Sequence, residues 1–147
     1  MPLARRAFLA TLGAGLAAPA LLRAEASKSR QRYPIAFSTL GCPAWSWKTI
    51  LEQAQRHGFA GIELRGIEGE LDLSKRPELT GAGLTATKAD LAALGIVITD
   101  LGASSAMHVK NKAERARQLD EGRRFIDLAH ALGVKYVRMF GDRVPPE

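Results

Sequence analysis

Three segments of the sequence end a helix in the same way and then turn into a strand: HGFAGIELRG, LGIVITDLG and LGVKYVRMFG. Their capping glycines, Gly58, Gly95 and Gly133, lie 37 and 38 residues apart. A glycine just past a helix is the usual left-handed cap, because without a Cβ it enters positive φ freely. The repeated unit is helix, cap, short β-rich strand and loop, which predicts an α/β fold with a parallel sheet. The expected order is strand 34–40, helix 47–57, strand 61–65, a long loop, helix 87–94, strand 96–101, helix 112–132 and strand 134–140.

Apolar spacing supports the helices. Ile50, Leu51 and Ala54 share one face of the first. Thr87 and Asp90 stand at capping-box spacing ahead of Leu91 and Leu94 in the second. In the third, Leu119, Phe125, Ile126, Ala129 and Leu132 form the expected apolar stripe. The proline at position 34 suits the start of the first strand.

The strands carry a less ordinary pattern. Alternate strand residues face opposite ways, so Ile62 and Leu64 take one face while Glu63 and Arg65 take the other. In the last strand Val137 and Met139 oppose Tyr136, Arg138 and Phe140. Glu63, Thr99 and Arg138, five, four and five residues past their glycines, are read as equivalent positions, with Asp100 on the helix-facing side as the mark of a strand end. Strands of a doubly wound sheet are covered on both faces and read as nearly unbroken apolar runs. Charges on one face instead fit a closed (β/α) barrel, whose strand C-termini line the mouth of the active site. Such charges need partners. A mutual ion pair of Glu63 with Arg65 or Arg138 satisfies them, and so does a polyhydroxylated ligand; the two are compatible.

Residues 1–26 have a different character. MPLARRAFLATLGAGLAAPALLRAEA has a basic start at Arg5 and Arg6, a weakly apolar run from Ala7 to Leu22 and a small-x-small site at Ala24-Glu25-Ala26. This is the pattern of a secretory signal, and the paired arginines resemble the twin-arginine type. A membrane anchor is the other reading, but the run has 16 residues interrupted by Gly13, Gly15 and Pro19, where a span needs about 20. The expected organisation is a signal over 1–26, a linker over 27–33 and a folded unit over 34–147, with a periplasmic or exported location.

Without residues 1–26 the chain keeps 18 basic and 14 acidic residues, a net of +4. The excess is dispersed and lacks interleaved aromatics, so no nucleic-acid partner is expected. Cys42 is the single cysteine; no intrachain disulfide can form, and a small buried thiol is the expected role.

EQAQRHGFAGIELRG, a loop, TKADLAALGIVITDLG and then GVKYVRMFG together resemble the sugar phosphate isomerase/epimerase family, the xylose isomerase-like TIM-barrel group. The resemblance runs from about Tyr33 to Gly141. It implies a (β/α)8 barrel, here truncated after about four strands. It also implies a divalent metal, manganese, zinc or magnesium, in the full-length relative, acting as a Lewis acid beside carboxylates that move a proton. The family places its principal metal and acid/base groups in the second half of the barrel, so no catalytic or metal-ligating residue is expected in this chain, and no metal is expected to bind to it alone.

What the first half offers is substrate contact. Glu63 and Arg65 match the family's strand end, His108 follows the third strand, Trp45 stands in the first strand–helix loop, and Arg138 lies near the mouth. A loop histidine is also commonly just solvated, and Trp45 or Trp47 also serves to pack that loop. The expected partners are a small sugar, phosphorylated or not, the twin-arginine export machinery and a second copy of the chain. Alternatives are a catalytically inactive barrel fragment or sugar-binding module, and a phosphodiesterase of the endonuclease IV type. The last is disfavoured by the histidine count: His57, His108 and His130 are the only three, and His57 and His130 sit at helix ends.

Overall fold

Residues 34–141 are described by the computed structural model of the chain. The segments expected to be a signal over 1–26 and a linker over 27–33, and residues 142–147, lie outside them. Four strands, β1 (Ala36–Ser38), β2 (Gly61–Leu64), β3 (Val97–Ala106) and β4 (Val137–Phe140), form one parallel sheet in sequence order. Three helices connect them: α1 (Trp47–His57), α2 (Gly81–Leu94) and α3 (Lys112–Leu132).

Each helix stops where the glycine repeat requires. Gly58, Gly95 and Gly133 have φ of +73°, +62° and +75°, and their N–H groups return to carbonyls of the preceding turn. The starts are fixed by side chains in two cases. Ser46 accepts from the Thr49 N–H ahead of α1, and Asn111 accepts from the Glu114 N–H ahead of α3. These bonds satisfy donors that have no partner within the helix.

The second helix departs from the expectation. It begins at Gly81 rather than at residue 87, so Thr87 is no cap but a buried residue within the helix, its hydroxyl donating to the Glu78 carbonyl at 2.8 Å. Gly81 and Gly83 read as loop by propensity. Gly83 is nevertheless demanded by packing, since a Cβ there would lie 1.9 Å from the Pro77 carbonyl oxygen. In α3 the inward stripe is Gly122, Phe125, Leu128 and Ala129; Ile126 is half exposed, having rotated past the buried face.

The helices share one core with one face of the sheet. Ile50, Leu51 and Ala54 of α1, Leu91 of α2 and Phe125, Leu128 and Ala129 of α3 cluster with Ile62, Leu64, Leu101 and Ala103. Each large side chain buried here contributes about 1.5–3 kcal/mol. The loop after β2 packs against the helical layer. Ile67, Leu73 and Leu79 are buried, and Asp72 meets Arg124 of α3 at 3.3 Å.

Register decides what the opposite face carries. Ser38 pairs with Glu63, and Gly102 pairs with Arg138. An extra β3 residue shifts the pairing after Ile62, so Glu63 stands opposite Asp100, not Thr99. Asp100 thus shares the face of Glu63, and it does not end the strand, which continues to Ala106. Arg138 pairs with Gly102, three residues beyond Thr99, the equivalent inferred from the sequence.

Candidate functional site

The charged residues of β2 and β4 converge at the C-terminal ends of the strands. Arg138 donates through Nη2 to Glu63 Oε1 at 2.8 Å. Arg65, the residue after β2, is 7% exposed and crosses the neighbouring strand. Its Nη1 donates to the Gly102 carbonyl at 3.3 Å, and its Nη2 to Ser104 Oγ at 2.8 Å. Phe140 supports both guanidinium groups, with its ring centroid 5.9 Å from Arg65 Cζ and 5.3 Å from Arg138 Cζ. Those distances suit cation–π attraction.

Three further residues build this group, and sequence reading did not single them out for it. Gly102 leaves the space the arginines occupy: a Cβ there would lie 2.6 Å from Arg65 Cδ and 3.0 Å from Arg138 Nη2. Thr39, fully buried after β1, accepts through Oγ1 from the Arg65 N–H at 2.9 Å and the Gly66 N–H at 3.1 Å. It pins the chain where β2 ends. Ser38 hydrogen-bonds the Glu63 carboxylate from β1.

The electrostatics follow from these contacts. Burial alone would raise the Glu63 pKa, but hydrogen bonds from Ser38 and Arg138 and the positive charges of Arg138 and Arg65 outweigh it, leaving the carboxyl below its usual range. Glu63 is therefore an ionised acceptor at neutral pH rather than a base poised near 7. Burial, and then the charge of Arg138, pull Arg65 below the ordinary guanidinium value against the opposing effect of Glu121 and Glu63. An arginine so placed remains a cation. Two guanidiniums and the Glu63 carboxylate, on a face that also carries Asp100, can receive a ligand rich in hydroxyl, carboxylate or phosphate oxygens.

Of the residues proposed from sequence, Glu63, Arg65 and Arg138 are brought together. Trp45 is placed elsewhere: its ring stands edge-on to Phe37, 6.4 Å between centroids. Phe37 pairs with Ile62 on the helix-covered face. Trp47 is buried in the core. His108 lies in the turn after β3, where the Met107 N–H bonds the Phe140 carbonyl at 2.7 Å. The His108 Nδ1 is shielded and has no hydrogen-bond partner. Cys42 is half-buried, and burial raises its thiol pKa, as befits an inert side chain.

A divalent cation does not fit what is described. Among the described residues no three His, Cys, Asp or Glu side chains converge to hold a metal, and Glu63, the acidic group of the cluster, is engaged by Arg138.

Comparison with known proteins agrees with this geometry. Solved structures that share the fold include the following two. One is the probable 3-DHS dehydratase AsbF involved in petrobactin synthesis from Bacillus anthracis, at 19% identity and a TM-score of 0.55, covering 74% of this chain and 38% of that one. The other is a xylose isomerase-like TIM barrel protein from Mycobacterium smegmatis in complex with magnesium, at 20% identity and a TM-score of 0.52, covering 78% and 40%. The chain thus spans about two fifths of the length of these structures. No curated protein matches it. The family model described as xylose isomerase-like TIM barrel matches residues 51–147. With four parallel strands in barrel order, helices on one face and charges on the other, the chain belongs to the xylose isomerase-like TIM barrel family.

Proposed function

We propose that residues 34–147 are the N-terminal part of a metal-dependent sugar or sugar-phosphate isomerase/epimerase barrel, and that residues 1–26 direct its export by the twin-arginine route. The observation that carries the reading is the Glu63–Arg65–Arg138 group at the strand ends, where barrels of this kind bind their substrates. Arg138 and Arg65 donate to phosphate or hydroxyl oxygens of the sugar, and Glu63 accepts from its hydroxyls. In the complete barrel a divalent metal polarises the carbonyl next to the carbon that loses its proton. No residue described here is assigned to the metal or to the proton transfer.

A second reading is that the chain binds its sugar without converting it, since Glu63 is engaged by Arg138 and held ionised rather than poised as a base. The same guanidiniums also suit the carboxylate of a hydroxy acid, and one structural neighbour is a probable 3-DHS dehydratase.

Calorimetric titration of the full chain with a ketose phosphate and with the free ketose, each with and without magnesium, tests the proposal. NMR of the same mixtures reports any epimer or aldose formed. Binding of the phosphorylated sugar at least several-fold tighter than the free one supports the substrate site, and product formation adds catalysis. Failure of both sugars to bind contradicts it.

A further inference from the structure

Between its pairings with β4, strand β3 takes an unusual course. Gly102 pairs with Arg138, and the next pairing is Ala106 with Phe140, so β3 uses four steps where β4 uses two. The intervening segment, Ala103 to Ser105, leaves the ladder, and its donors need other acceptors. Helix α3 supplies them. Glu121 Oε1 accepts from the Ser104 N–H at 2.8 Å, Gln118 Oε1 accepts from the Ala106 N–H at 2.6 Å, and the Gln118 carbonyl accepts from the Ser105 hydroxyl.

The bulged segment is also where Arg65 is held. Both of its acceptors, the Gly102 carbonyl and Ser104 Oγ, belong to this stretch of β3. One residue, Ser104, therefore receives Glu121 at its backbone and presents its hydroxyl to Arg65. The Glu121 charge is felt at Arg65 as well, where it favours the cation against burial and against Arg138. A carboxylate reaching in from the outer helix offsets the repulsion between two adjacent guanidiniums without taking up their ligand-facing side.

We infer that Glu121 is a positioning residue for Arg65, acting through Ser104 to hold the guanidinium on the inner face of the sheet. The inference rests on the reading of Arg65 and Arg138 as an oxyanion site. It goes beyond that reading by assigning the geometry of the site to a helix residue that touches no ligand.

Three variants of the full chain separate the roles. Glu121→Ala removes acceptor and charge, Glu121→Gln keeps an acceptor without the charge, and Ser104→Ala removes only the hydroxyl. The first readout needs no ligand: NMR of the arginine side chains, assigned with Arg65→Lys. Arg65 is expected to give slowly exchanging, inequivalent Nη protons in the parent and in Glu121→Gln, and averaged ones in Glu121→Ala and Ser104→Ala. The second readout is the affinity for inorganic phosphate. It is expected to fall about tenfold or more in Glu121→Ala and about threefold in Glu121→Gln, in keeping with the size of charge-assisted hydrogen bonds. Parent protein that fails to bind phosphate overturns the oxyanion reading while leaving the first readout decisive for Glu121. Arg65 signals that are unchanged in Glu121→Ala, or lost equally in Glu121→Gln, overturn the positioning role.

Discussion

Arg138 of β4 and Glu63 of β2 meet at 2.8 Å across the intervening strand, on the face of the sheet turned away from the helices. Gly102 lies between them, and its missing side chain is what allows the contact. The pair links the second and fourth strands without a shared backbone ladder, so it stabilises the sheet at the point where the proposed ligand enters.

Arg138→Gln is expected to lower stability by about 1–2 kcal/mol, between the ranges for exposed and buried pairs. Glu63 is then left half-buried with Ser38 and without its cation. Urea denaturation at neutral pH measures the loss.

The same pair sets a pH dependence. Glu63, Asp72 and Glu78 all have carboxyls held below their ordinary values. A group whose folded pKa is depressed contributes stability above its unfolded pKa, and that contribution is lost as pH falls through the folded value. Stability of the parent should therefore hold from neutral pH down to the ordinary carboxylate range and fall below it. In Arg138→Gln the Glu63 carboxyl loses two of the effects that lower it, so this contribution should be smaller at neutral pH and fade at higher pH than in the parent. Chemical denaturation across an acid pH series checks both.

Gly102→Ala should cost about 1–3 kcal/mol, the usual penalty of overpacking, because the new methyl meets Arg65 Cδ at 2.6 Å. Gly41→Ala is the control. Nothing lies within 4 Å of a Cβ at that position, and a change within about 0.5 kcal/mol is expected. Thermal melts of the two variants distinguish a site-specific clash from a general loss of glycine.

Thr39→Val keeps the shape of a fully buried side chain but strips the acceptor from two backbone donors, those of Arg65 and Gly66. Buried donors without partners cost about 1–3 kcal/mol each. Thr39→Ser retains the oxygen and should be milder. Amide exchange at Arg65 and Gly66 should accelerate selectively in Thr39→Val.

What could be read from the sequence was what local chemistry dictates. The glycine caps follow from the conformational freedom of one residue type, and all three occur with positive φ. Strand alternation placed Glu63 and Arg65 opposite Ile62 and Leu64, and Arg138 opposite Val137. The features that escaped depend on contacts far along the chain. Asp100 joins the face of Glu63 only because β3 gains a residue in its pairing with β2. Gly83 stands in the first turn of α2 because Pro77 leaves no room for a side chain there. The bond from Arg65 to Thr39 spans 26 residues, and that from Ser104 to Glu121 spans 17. No periodicity announces either. Trp45, expected either as a substrate contact or as packing for its loop, sets its ring edge-on to Phe37.

The central claim is that the two guanidiniums on the inner face bind the anionic part of a sugar-like ligand. The most direct measurement is a ketose phosphate titration of the full chain followed at the Nε–H resonances of Arg65 and Arg138. Saturable shifts at both arginines, absent with Arg138→Gln and much weaker with the unphosphorylated ketose, are the predicted result. Resonances of both arginines that stay fixed through the titration would contradict the account.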